Sequence, residues 1–88
     1  MRRPLIGDAM AAARVVAGAP EGEAAAAARA LVARAERAVA WRLATGRPHP
    51  TLGDGSLMAA SLGMRPAVEA RLSDPRYRRA LAQVLLAL

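Results

Sequence analysis

No helix can run through residues Arg47 to Gly55, RPHPTLGDG, and that interruption limits what the whole chain can become. Pro48 and Pro50 hold their predecessors in extended geometry, and Gly53 and Gly55 invite a tight turn. The interruption lies inside a longer distinctive stretch, Trp41 to Gly63, which also carries the only Trp and the only His of the chain. On either side the sequence is mostly alanine, arginine and leucine, residues that favour helix. No strand-type alternation, repeat or low-complexity linker accompanies them. The expectation is an all-α fold: one domain over residues 1–88, a small bundle of four or five helices with a Pro/Gly-rich loop between a long second helix and the C-terminal half.

Local signals place the helices. After a short tail from Met1 to Pro4, Asp8 is a candidate N-cap for a helix through Met10 and Ala13 to Ala17, with Gly18 ending it and Met10, Val15 and Val16 as its buried contributions. Pro20 suits the first position of the longest helix, with Glu21 and Glu23 in a first turn where carboxylates favour the positive helix end, and Gly46 closes it. Ala28, Leu31, Val32, Ala35, Val39 and Leu43 recur along that helix at three- and four-residue steps and predict its buried stripe; Arg29, Arg34, Arg37 and Arg42 fall mostly outside it. Asp54 or Ser56 caps a short helix through Leu57, Met58 and Leu62, ended by Gly63. Pro66 is expected to restart a brief helix to Leu72. Ser73, Asp74 and Pro75 form a strong start signal for the last helix, whose Tyr77, Leu81, Val84, Leu85 and Leu88 predict one apolar face, with Arg76, Arg78 and Arg79 on the other side.

Composition bounds the core and the partners. The chain has no Phe, one Trp and one Tyr, so bulk must come from eleven Leu, six Val, one Ile and four Met. The remaining hydrophobic residues are alanine, which brings backbones close but removes little area from water. A thin core in a chain of this size is one that a second copy or a partner completes. The absence of cysteine rules out disulfides and thiolate metal sites. The N-terminal stretch lacks a signal-peptide apolar run, and no span of membrane length follows, so a cytoplasmic protein without membrane association is expected. The formal charge of +6 rests on thirteen arginines and no lysine, a modest pointer toward a polyanion.

Each candidate site has a plain structural reading beside the functional one. His49 between two prolines can serve as an acid, base or ligand, but a metal site needs several ligands and a triad needs an oriented base and nucleophile. Scattered Asp54 and Ser56 do not supply them. The preferred reading makes Trp41, Pro48, His49, Pro50, Gly53, Asp54, Gly55 and Ser56 a structural corner, in which Trp41 packs over Pro48 or Pro50. The Gly53 to Ser56 turn entering a helix resembles an anion cradle, yet Asp54 already supplies a carboxylate there. Residues Leu57 to Leu72 resemble a degenerate helix-turn-helix, with Ala59 small, Gly63 in the turn and Arg65 and Arg71 beyond it, although Glu69 stands where an aliphatic is usual and Val68 arrives one residue early. With Arg76, Arg78 and Arg79 these arginines form the candidate nucleic-acid face. Leu81, Val84, Leu85, Leu86 and Leu88 form the candidate interaction seam, Leu86 widening the apolar surface at the chain's end.

His49 to Leu62, HPTLGDGSLMAASL, followed by Ser73 to Leu88, SDPRYRRALAQVLLAL, resembles a small alphaproteobacterial family of hypothetical proteins that share a His-Pro, a Gly-x-Gly-Ser-Leu-Met run and a late Asp-Pro-x-Tyr. The opening Arg3 to Asp8 is similar too, so the likeness covers nearly the whole chain. It implies a domain of unknown function with a link to gene-transfer-agent regulation. Arg78 and Ala80 stand where that pattern often has cysteine, which puts a thiol-based role in doubt.

The sequence therefore points to a non-enzymatic helical protein-interaction module, a regulatory or assembly accessory that self-associates through its last helix or binds a protein partner. The alternative is a nucleic-acid-binding regulator. No cofactor, metal or small-molecule substrate is expected.

Overall fold

The computed structural model describes residues 4–20 and 22–88, and four helices and no strand are found among them. They are α1 (Ile6–Val16), α2 (Ala24–Thr45), α3 (Leu57–Leu62) and α4 (Pro75–Ala87). The tail's arginine pair and Glu21, expected in the first turn of α2, lie outside the described residues.

The short-range signals set most of the helix ends. Ser56 caps α3, its Oγ accepting the Ala59 N–H at 3.1 Å, while Asp54 Oδ1 accepts the Ser56 N–H at 2.9 Å. Asp74 caps α4 by accepting the Arg76 N–H at 2.9 Å, with Pro75 in the first turn. Gly46 ends α2 in the left-handed conformation and donates its N–H to Arg42 O at 2.7 Å. Pro20 does not open α2. Its carbonyl instead accepts the Glu23 N–H at 3.0 Å in a turn, and the helix begins at Ala24.

Asp8 is not the N-cap of α1. The helix starts at Ile6 with Leu5 as its cap, and Asp8 occupies the third position, where its carboxylate reaches back to the Leu5 N–H at 2.8 Å. Its other oxygen accepts the Met58 N–H of α3 at 3.0 Å. One carboxylate, only 4% exposed, thus satisfies orphan donors at the N-termini of two helices fifty residues apart.

α4 begins where α1 ends: Arg76 Nη2 donates to Ala17 O at 3.0 Å. It packs along α1, and α2 and α3 complete the bundle around them. The core joins Ala9, Ala12, Ala13 and Val16 of α1, Ala28, Leu31 and Val32 of α2, Leu57 of α3, and Tyr77, Ala80 and Val84 of α4. Three expected faces shift. Met10 is on the surface, and Val15 is only partly buried. Along α2, Ala38 is buried in place of Leu43, which is 83% exposed because every residue from Ala40 to Pro48 is exposed as the helix outruns its neighbours. On α4 the buried face is Tyr77, Ala80 and Val84; Leu81 is partly buried, while Leu85 and Leu88 are exposed.

The brief helix expected from Pro66 to Leu72 does not form. Pro66 disfavours helical geometry at Arg65, and the following backbone groups are taken by α1: the Ala67 N–H donates to Arg14 O at 2.8 Å and Arg14 Nε donates to Val68 O at 3.0 Å. Arg14 also lies 3.6 Å from Glu69, and Gly18 leaves room for Ala67, whose Cβ would stand 3.0 Å from a Cβ at that position. The segment is a strap tied to the end of α1.

Candidate functional site

The corner after α2 closes on itself. The His49 N–H donates to Gly53 O at 2.9 Å and the Gly53 N–H donates back to His49 O at 3.2 Å. Inside this loop His49 Nδ1 accepts the N–H groups of Thr51 and Leu52 at 3.1 and 3.0 Å, with Thr51 Oγ1 at 3.3 Å. That assigns the imidazole as an acceptor at Nδ1, with its proton on Nε2. Trp41 meets the ring of His49, the residue between the two prolines, in an edge-on arrangement with centroids 4.9 Å apart.

Beyond the loop, two glycines bring the chain hard against the bundle. At Gly53, with φ +86°, a Cβ would lie 2.6 Å from the Ala59 Cβ; at Gly55, with φ +99°, it would lie 2.7 Å from Val39 Cγ2. Both positions combine a left-handed backbone with no room for a side chain, so only glycine fits. The loop is pinned to α2 on one side and α3 on the other, and its Leu52 is buried. His49, Asp54 and Ser56 are engaged in this local order. A cleft of about 310 Å³, lined by Val16, Ala17, Pro20, Arg76 and Arg79 among others, lies elsewhere, at the junction of α1, α2 and α4. No group of three or more His, Asp or Glu that could hold a metal ion occurs among the described residues, and no helix among them is long and apolar enough to cross a membrane.

The candidate arginine face divides. Arg65, Arg71, Arg76, Arg78 and Arg79 are all exposed, but Arg76 is also bound to the carboxyl end of α1 and Arg79 Nε donates to Pro75 O at 3.3 Å within α4. The cation at Ala17 complements the negative end of α1 and supplies a donor to a carbonyl at the helix end. Arg65 and Arg71 sit on the strap, so the helix-turn-helix resemblance lacks its second helix.

The candidate seam divides as well. Val84 belongs to the chain's own core and Leu81 packs against it, whereas Leu85, Leu86 and Leu88 face outward, Leu86 at 80% exposure. A second apolar group is formed by Ile6, Met10, Met58 and Leu62, all exposed, on the adjoining helices α1 and α3, where Met58 Cε lies against Gly7.

Sequence reasoning gave α2 a basic outer face but missed the double role of Asp8 and the place of Trp41 on that face. The latter had a readable signal. Arg34, Arg37 and Trp41 follow one another at i, i+3 and i+7, a spacing that places them on one side of a helix.

The family model described as "Domain of unknown function (DUF7742)" matches residues 2–88. No curated protein and no solved structure matches the chain.

Proposed function

Because the chain belongs to this family of unknown function over nearly its full length, its role has to be sought in its own surface, and we propose that it is a non-enzymatic helical interaction module that self-associates through the end of α4. The observation that carries this reading is the exposure of Leu85, Leu86 and Leu88 together on the last turn of a helix whose inner face is already occupied by Tyr77, Ala80 and Val84. Three leucines left in water at one helix end are an unfavourable surface unless something covers them, and an isologous seam places the same patch on both partners. The resemblance to alphaproteobacterial proteins linked with gene-transfer-agent regulation supports a regulatory or assembly role in the cytoplasm rather than a catalytic one.

The test is the mass in solution, by light scattering, of the wild-type chain and of Leu86→Glu. Leu86 touches no core residue of its own chain strongly enough to be buried, so the variant is expected to keep its far-UV circular dichroism and to change from dimer to monomer. A wild-type monomer, or a variant of unchanged mass, overturns the seam. The nucleic-acid reading rests on the exposed Arg65, Arg71 and Arg78; adding duplex DNA at low and high salt to the same measurement tests it, since phosphate contacts weaken steeply with salt.

A further inference from the structure

We propose that the face of α2 carrying Arg34, Arg37 and Trp41 is the docking surface for an acidic amphipathic helix of a partner protein. At 100° per residue the three side chains span an arc of about 60°, turned away from the stripe of Ala28, Leu31, Ala35 and Ala38 that faces the core. Trp41 is 42% exposed, and its indole is braced by the His49 ring at a centroid distance of 4.9 Å, a ring itself fixed in the loop by the Thr51 and Leu52 N–H groups. An indole fixed before binding has little freedom left to lose, which is the condition for an efficient anchor, and Trp and Arg are the residue types that dominate binding hot spots.

Charge selects the occupant. Between Ala24 and Gly53 the sequence holds five arginines and one carboxylate, Glu36. Among the described residues neither Arg34 nor Arg37 has a carboxylate partner, and Arg34 Nε is buried with no acceptor. Two guanidinium groups that have no carboxylate of their own can each pair with one that a partner brings. A second copy of this chain would set arginine against arginine across a two-fold axis, so self-association through this face is disfavoured. A nucleic acid would find phosphate contacts, but it would leave unused the exposed alanine surface of Ala30 and Ala44 that shares the arc. A helix with carboxylates three or four residues apart meets both arginines and lays its apolar side on the alanines and Trp41.

This deepens the interaction-module reading, and the two fail separately, since solution mass reports on α4 and the fluorescence of the sole tryptophan reports on α2. The probe is a synthetic amphipathic helical peptide with glutamates at i and i+3 beside a leucine face, compared with the same peptide carrying glutamines, and titrated into the full chain. The expected result is a saturable blue shift of Trp41 emission, weakened by about tenfold or more when glutamine replaces glutamate or when the protein carries Arg37→Glu. Arg37 is exposed, and circular dichroism verifies that its variant stays folded; the peptide comparison needs no variant at all. No shift up to about millimolar peptide, the weakest affinity of interest, overturns the proposal, as does equal binding of the glutamine peptide. A shift with duplex DNA that Arg37→Glu abolishes reassigns the face to nucleic acid, and a shift on raising protein concentration alone reassigns it to a second copy.

Discussion

Replacing Asp8 by alanine tests the idea that a single carboxylate ties two helices together. The wild-type side chain accepts the Leu5 N–H at 2.8 Å and the Met58 N–H at 3.0 Å while almost fully buried. Its removal orphans both donors. An unsatisfied buried N–H costs about 1–3 kcal/mol; both bonds are partly buried, so the cost at each donor falls near the middle of that range, about 2 kcal/mol. The desolvation of the carboxylate opposes these gains, but a charge placed at two positive helix ends recovers much of that loss. A net loss of about 3 kcal/mol follows from those per-bond costs, against a total of about 4–13 kcal/mol for a chain of this length. For a domain of this size it lowers Tm by about 12–24 °C. Urea unfolding followed by circular dichroism measures it, and Asp74→Ala, which removes one cap with an exposed bond to Arg76, is the control at about 1 kcal/mol. Asp8→Asn keeps one acceptor oxygen and is expected to fall between the two. If Asp8→Ala loses no more stability than Asp74→Ala, the shared-cap reasoning is wrong.

Two further substitutions probe the loop and the strap. Gly55→Ala combines a disfavoured positive φ with a Cβ 2.7 Å from Val39 Cγ2 and is expected to cost about 2–4 kcal/mol; in the background of Val39→Ala the steric part should disappear, leaving about 1–2 kcal/mol of backbone strain, and equal losses in both backgrounds would rule out the contact. Arg14→Ala removes the donor to Val68 O and the ion pair with Glu69; limited proteolysis should then cut within residues 64–72 several-fold faster while global urea stability drops by only about 1 kcal/mol, and unchanged cleavage would mean that Arg14 does not hold the strap.

The parts of this fold legible in the sequence are those decided within a few residues. The Ser56 and Asp74 caps, Gly46 at the end of α2 and the Pro48 to Gly55 interruption depend on local backbone chemistry, so the residues announce them. The second bond of Asp8 depends on Met58, fifty residues away, and nothing beside Asp8 foretells it. Pro66 to Leu72 had fair helix-forming content, but Arg14 claimed its backbone groups first. The buried faces were read with mixed success for a different reason. In an alanine-rich helix small apolar residues occur on every side, so the large ones dominate any periodicity; Leu43 and Leu85 fell on the expected stripe in sequence yet lie where the neighbouring helices no longer cover them. The basic outer face of α2 was legible but not the place of Trp41 on it, because arginines on a helix ordinarily mark only the side in water and the contact of Trp41 with His49 depends on how the loop turns back.

Nine of the sixteen buried hydrophobic residues among those described are alanine. Methyl groups hydrate little apolar area when they are released, so the unfolding of this chain carries a small heat-capacity increment for its length. Its stability curve is correspondingly broad and shallow: cooling weakens such a core less than it weakens one built of leucine and phenylalanine, and warming meets a gradual decline rather than a steep one. A helical bundle held by close backbones and polar ties at its ends thus trades a high maximum of stability for evenness across temperature.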